Sequence, residues 1–438
     1  MRNRLFITAV VLLLISFSSF AVPTIQHWRS DKGADVYFVP TKGLPIVDAK
    51  LVFSAGSAYD EAQSGLAGLS SALLDQGAAG QTAQQLAEQF ESVGAQLSTS
   101  VSRDFSSLSF RSLSDAKVLT QSWSGFKKIL NQPDFPLKDF ERVREQTLQG
   151  IKRREESPGV LAQLALYREI YRGHPYAKPV RGTLKSVLGI ERDDLVQFHQ
   201  RYYVAKNLKV ILVGGISRQQ AERMVADLLV DLPEGEKAKP IAKVPDLGQG
   251  KNIHLEYPSQ QTHLMYGLPV LTHNDVDNFA LYVGNHILGG SGFSSRIVKE
   301  IREERGLAYS AYSYFNPMMQ KGPFLMGLQT RNEKINEATK ATKNTLVNFI
   351  EEGVSEEELV AAKKNISGGF ALRLDSNKKL LSSVTSIVAS GAPLDYLNSY
   401  LDKIDAVTIQ AIQEAFQRRL LVDKMVMVTV GQTQGNLD

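Results

Sequence analysis

Residues 190–214 read IERDDLVQFHQRYYVAKNLKVILVG. Leu195, Phe198 and Tyr202 recur at helical spacing, a short basic turn follows, and the stretch closes on an apolar run that ends at Gly214. This is a helix followed by a buried strand. Residues 404–431, IDAVTIQAIQEAFQRRLLVDKMVMVTVG, repeat that order and end at Gly431. Gly214 and Gly431 lie 217 positions apart, and so do Glu141 of ERVREQTLQGI and Glu358 of ELVAAKKNISG. Two independent pairs at one offset identify a tandem duplication.

Working outward, each half shows the same sequence of elements. Strand-like runs come first, VYFVP and DAKLVFSAG in one half and HLMYGLPV in the other. A helix is expected around 65–76 and again around 276–288. Strictly alternating stretches at 97–113 and 308–330 then predict half-buried antiparallel strand pairs. The fold class expected is α+β, two homologous domains, each a mostly antiparallel sheet layered with helices. Residues 232–251, LPEGEKAKPIAKVPDLGQGK, mix Pro, Gly and Lys without periodicity and read as the linker. The expected domains are therefore 22–231 and 252–438.

The chain has 438 residues, 43% of them hydrophobic, which supplies apolar area for two cores of this size. A net charge of +4 without a basic run argues against a dedicated nucleic-acid binder. The first residues read MRNRLFITAVVLLLISFSSFA. Arg2 and Arg4 precede an apolar stretch from Leu5 to Phe17, and Ser19 and Ala21 are small residues placed for cleavage after Ala21. Residues 1–21 read as a signal peptide, the alternative being an uncleaved anchor. An exported chain without a single cysteine suggests a bacterial periplasm, and it excludes disulfides and thiolate metal sites.

Three motifs in order, SAYDEAQSGLAGLSSALLDQGA from Ser57, HPYAKPVRGT at 174–183 and LGGSGFSSRIVKEIREERGLAYSAYS at 288–313, resemble the pitrilysin/insulinase family of zinc metallopeptidases. The mitochondrial processing peptidases and the core subunits of the bc1 complex belong to it. The resemblance runs from about residue 25 to about 432, nearly the whole mature chain. The family's signature is His-x-x-Glu-His on a helix, two His on one face holding zinc while the Glu activates water. Laid on Gly65-Leu66-Ala67, the first His position is Gly68, the Glu position Ser71 and the second His position Ala72. The family's third ligand, a Glu, aligns with Leu148, seven residues after Glu141. Gly, Ala and Leu carry no donor atom, and a Ser hydroxyl is a poor base unless something activates it. None of the seven histidines stands three or four residues from another, so no helical His pair replaces the lost one. Residues 65–76 are also readable as a packed helix. Leu66, Leu69 and Leu73 form a buried stripe, and small residues at 68, 71 and 72 admit a close neighbour.

The resemblance also implies a second site. Family members carry an Arg and a Tyr, seven residues apart, in the second domain, where they hold peptide and stabilise the transition state over zinc. Here these are Arg302 and Tyr309; Arg305 has the wrong spacing. The plainer alternative is a surface Arg paired with Glu303 or Glu304 and a half-buried strand Tyr. The glycine-rich LGGSGFSSR looks like the segment that contacts substrate in the non-catalytic processing-peptidase subunit, or else a plain turn. HPYAKPVRGT reads as structural, with Tyr176 anchored in the core. Together these imply a zinc-free subunit of an exported heterodimeric metallopeptidase, inactive alone. It binds peptide and completes the active site of a sister chain that carries the zinc. Two other readings stay open: a scaffold or peptide-binding protein with no proteolytic role, and an autonomous zinc peptidase, which needs ligands this sequence does not show.

Overall fold

The computed structural model describes residues 23–432; the expected signal peptide lies outside the described residues. The first half builds a sheet from β1 (Gln26–Arg29), β2 (Asp35–Pro40), β3 (Ile46–Phe53), β4 (Gln96–Val101), β5 (Ser106–Leu113) and β6 (Leu208–Gly214). Its helices include α1 (Leu66–Leu73), α2 (Ala116–Asn131), α3 (Leu137–Glu155), α4 (Pro158–Ile170), α5 (Arg192–Tyr202) and α6 (Arg218–Leu229). The second half has β7 (Lys251–Glu256), β8 (Gln261–Leu271), β9 (Ala308–Phe315), β10 (Gly322–Arg331) and β11 (Val426–Gly431). Its helices include α7 (Asn278–Asn285), α8 (Ile335–Glu352), α9 (Glu356–Gly368), α10 (Asn377–Ser390) and α11 (Ile409–Arg419).

Strand order is β1-β2-β6-β3-β5-β4 in the first sheet and β9-β10-β8-β11-β7 in the second. Apart from the extra β1 the two orders are the same when read in opposite directions, and each has one parallel pair, β2 with β6 and β7 with β11. The remaining pairs are antiparallel. Capping residues set the helix starts: Asp115 accepts from Lys117 and Val118 N–H at α2, and Ser217 with Gln220 and Ser355 with Glu358 form reciprocal caps at α6 and α9. The stripe Leu195, Phe198, Tyr202 is buried.

The halves exchange helices. α4 crosses to pack on β8 and β11 of the second sheet, and α10 crosses to pack on β3 and β6 of the first. Leu166 and Tyr167 of α4 share a core with Met265, Leu325 and Val428, while Val52, Ile211 and Val213 of the first sheet join the core of Leu381, Val384 and Val388. Covering part of each sheet with a helix from the other half ties the halves together.

A polar clasp lies in the same interface. Tyr176, fully buried, donates to the Asp104 carboxylate, and its hydroxyl accepts from Gln320 N–H at 3.2 Å. Asp104 also accepts from Met319 N–H at 3.2 Å. Burial pushes the Asp104 carboxyl up against the opposing pull of those hydrogen bonds. This is the structural role expected for HPYAKPVRGT. Residues 230–250 form neither helix nor strand, and β7 begins at Lys251. This coil is held to the interface by His174, whose Nε2 lies 2.8 Å from Ala242 O, and by Gln320, whose amide donates to Ile241 O at 3.0 Å.

Candidate functional site

α1 begins where Asp60, 1% exposed, accepts from the backbone N–H of Gly65 at 2.7 Å and of Ala67 at 2.8 Å. A carboxylate at this helix end satisfies two orphan donors and faces the positive end of the helix dipole. Burial is nevertheless the larger influence, and it raises the Asp60 carboxyl from 3.8 to about 7. Leu66, Leu69 and Leu73 are buried as the periodicity predicts.

The aligned metal positions do not make a metal site. Gly68 and Ala72 share the helix, Ser71 is buried beside them, and Leu148 projects from α3, which packs on α1, into the first core. A close neighbour does approach at 68. A Cβ on Gly68 would sit 3.2 Å from Val180 O, and Gly65 and Gly182 meet backbone to backbone, both with positive φ. Ser64 and Ser186 fasten this contact, Ser64 donating to Pro179 O at 3.2 Å and Ser186 to Ser64 O at 2.6 Å. Ala72 is exposed, so a close neighbour is seen at 68 and position 72 is not packed in the core. The residues that would face zinc are therefore without donors, and one of them is walled by the 180–181 backbone. Among the described residues no group of three or more His, Asp or Glu is placed to hold a metal ion. Histidines elsewhere are used locally: His199 Nε2 lies 2.9 Å from Leu130 O, and His254 Nδ1 lies 2.9 Å from the Thr429 hydroxyl.

The second candidate site is assembled. α7 runs on through π-type turns at 286–290, where Gly289 lies so close to Ser313 that a Cβ would come within 2.6 Å of its backbone nitrogen. A 3₁₀ turn at Gly292–Ser294 follows, with Gly292 at φ +68°, and carries Phe293 outward, 69% exposed. The Arg302 guanidinium lies between two rings, 4.6 Å from the centroid of Phe293 and 4.7 Å from that of Tyr309. Tyr309 is 83% exposed at the start of β9. Arg305 pairs with Glu300 at 2.6 Å and Lys299 with Glu304 at 3.9 Å, while Arg302 has no ion pair among the described residues. The surface-pair alternative is thus not what the structure contains. Stacking of this kind contributes about 0.5–1 kcal/mol per ring and holds a cation at the surface with its N–H groups free. The family resemblance named Arg302 and Tyr309. Phe293 lay unnoticed inside the glycine-rich segment, its only signal an apolar residue among glycines and serines.

A profile described as "Insulinase (Peptidase family M16)" matches residues 39–184, and one described as "Peptidase M16 inactive domain" matches residues 189–366. A crystal structure titled as a peptidase M16 inactive domain from Pseudomonas fluorescens is 34% identical, covers 93% of this chain and 98% of that one, and superposes with a TM-score of 0.91. The chain belongs to peptidase family M16, the insulinase family. Its M16 relatives carry both kinds of name. The Helicobacter pylori "Non-peptidase homolog YmxG" is 25% identical over 96% of this chain and 97% of its own length. A Rickettsia bellii "Uncharacterized zinc protease" is 24% identical over 76% of this chain and 80% of its own. Membership in M16 brings zinc into question, and the residues at 68, 71, 72 and 148 do not fit that metal. Inactive homologues among the relatives and the missing donors agree with a non-catalytic role for this M16 chain.

Proposed function

We propose that this chain is the zinc-free member of a two-chain M16 peptidase. It binds peptide and supplies Arg302 and Tyr309 to the active site of a sister chain that carries the metal. The carrying observation is the contrast between its two sites. The metal face is without donors and walled at Gly68, whereas Arg302 stands unpaired between Phe293 and an exposed Tyr309. A guanidinium can fork onto a peptide carbonyl, and a phenol can donate to the same oxygen as negative charge develops there. Export to a periplasm through residues 1–21 belongs to the same proposal. Among the described residues no helix is long and apolar enough to cross a membrane.

The test is Arg302→Ala combined with Tyr309→Phe in a reconstituted pair. The proposal expects peptidase activity to fall by roughly 10²-fold, the cost of losing a transition-state donor, with stability lowered by no more than about 1–2 kcal/mol, the worth of the two ring contacts of Arg302. Unchanged activity of the pair would remove the role and leave the scaffold reading.

A further inference from the structure

A second binding basin lies far along the chain from Arg302, on the face of the first sheet that α10 partly covers. Its volume is about 480 Å³. Two rows of paired residues cross its floor. Lys50 of β3 stands opposite Ser109 of β5, which stands opposite Ser98 of β4; Asp48, Arg111 and Gln96 form the next row. Directly opposed residues project from the same face of a sheet, so these six side chains share one surface. α10 adds Lys378 and Ser382 as the far wall.

The charges in this basin do not cancel. Asp48 is buried, and both its oxygens are taken by Arg111, at 2.7 and 3.1 Å. That pair is complete and neutral. Lys50 is half-buried, and neither it nor Lys378 makes an ion pair among the described residues. Burial pushes the Lys50 ammonium down with no nearby charge opposing it. An unmatched ammonium held in a partly desolvated site is costly until an anion joins it. Ser98, Ser109 and Ser382 add hydroxyl donors around it.

We infer that this basin binds an acidic side chain, Asp or Glu, of a bound peptide through Lys50 and Lys378, with the serine hydroxyls completing the carboxylate's hydrogen bonds. The ligand class rests on the peptide-binding role proposed above. Two features favour a peptide over a small free anion. The volume is that of a site for a multi-atom ligand. Also, β4 is the end strand of its sheet, so the basin opens sideways at the sheet edge, where a chain can enter and leave.

The experiment uses the intact chain and three probes at low salt: a fluorescein-labelled Ala-Glu-Glu-Glu-Ala peptide, its Gln counterpart, and inorganic phosphate. Anisotropy gives the peptide affinities, and competition gives that of phosphate. The expected result is a preference for the Glu peptide of about tenfold, the worth of one hydrogen bond between charged groups. Lys50→Met keeps the aliphatic stem and abolishes the preference. Ser98→Asp, at an exposed position, supplies the basin with its own carboxylate and abolishes it too, even if the Lys50 variant fails to fold. A Glu preference that survives both basin variants overturns the inference while leaving peptide binding standing. Binding of phosphate with the same Lys50 dependence, without binding of either peptide, overturns it and counts against the peptide-binding role as well.

Discussion

The frame of the lost metal helix should depend on Asp60. Asp60→Ala removes the acceptor for the Gly65 and Ala67 N–H groups, both at buried positions. An N-cap alone is worth about 0.5–2 kcal/mol, and each buried donor left unpaired costs about 1–3 kcal/mol. A loss of about 3 kcal/mol follows. The pH dependence gives a sharper test. Folding raises the Asp60 carboxyl from 3.8 to about 7, so the folded state holds a proton that the unfolded state has released between those values. The group's contribution is then fully present below about 4 and is lost as pH rises through about 7, at a slope of up to about 1.4 kcal/mol per pH unit. Over the window this amounts to on the order of 4 kcal/mol. Asp60→Asn cannot titrate. The assay is urea unfolding of wild type and Asp60→Asn from pH 4 to pH 9, followed by circular dichroism. The wild-type advantage should shrink as pH rises to about 7 and stay level above it. A difference that does not vary with pH, or an Asp60→Ala loss under about 0.5 kcal/mol, would refute the reasoning.

Three further outcomes follow from the same geometry. Tyr176→Phe leaves Asp104 without its hydroxyl partner and Gln320 N–H without an acceptor, so unfolding should cost about 2–3 kcal/mol less, measured by denaturant titration; no change would contradict the clasp. Gly182→Ala meets both a φ of +73° and a Cβ 2.4 Å from Ser64 O, and should destabilise by about 2 kcal/mol or more, whereas Gly80→Ala, with open space at its Cβ, should be felt only through its own φ. Restoring the aligned residues as Gly68→His, Ser71→Glu, Ala72→His and Leu148→Glu should not yield one zinc per chain by elemental analysis, because the 180–181 backbone walls position 68 and Leu148→Glu places a carboxylate in the first core. Stoichiometric zinc in that variant would show that only ligand identity is missing.

Repetition and alternation were enough to read the two-sheet architecture, because a tandem copy at a fixed offset repeats both strand order and helix order. Arg192–Tyr202 and Ile409–Arg419 stand at the offset taken from the two terminal glycines. The helix exchange was not readable. The apolar stripes of α4 and α10 report that these helices are buried, not which sheet covers them. The family resemblance also pointed to Arg302 and Tyr309, since both stand in the one contiguous stretch IREERGLAY. It could not place Phe293 beside them, because the contact depends on the π-type turns of 286–290 and on the positive φ of Gly292. The wall at Gly68 depends on a segment over a hundred residues away, brought back by the meeting of Gly65 and Gly182. Asp60 was visible as a residue in the quoted motif, but its capping role reaches five and seven residues ahead, beyond the usual cap spacing.

The most direct measurement is zinc content and peptidase activity of the purified chain, alone and after mixing with a sister chain that carries His-x-x-Glu-His. No zinc and no activity alone, with activity appearing on mixing and lost with Arg302→Ala and Tyr309→Phe, is the outcome the account predicts. One zinc per chain with activity in the isolated protein would contradict it and would mean that the metal ligands lie elsewhere than Gly68, Ser71, Ala72 and Leu148.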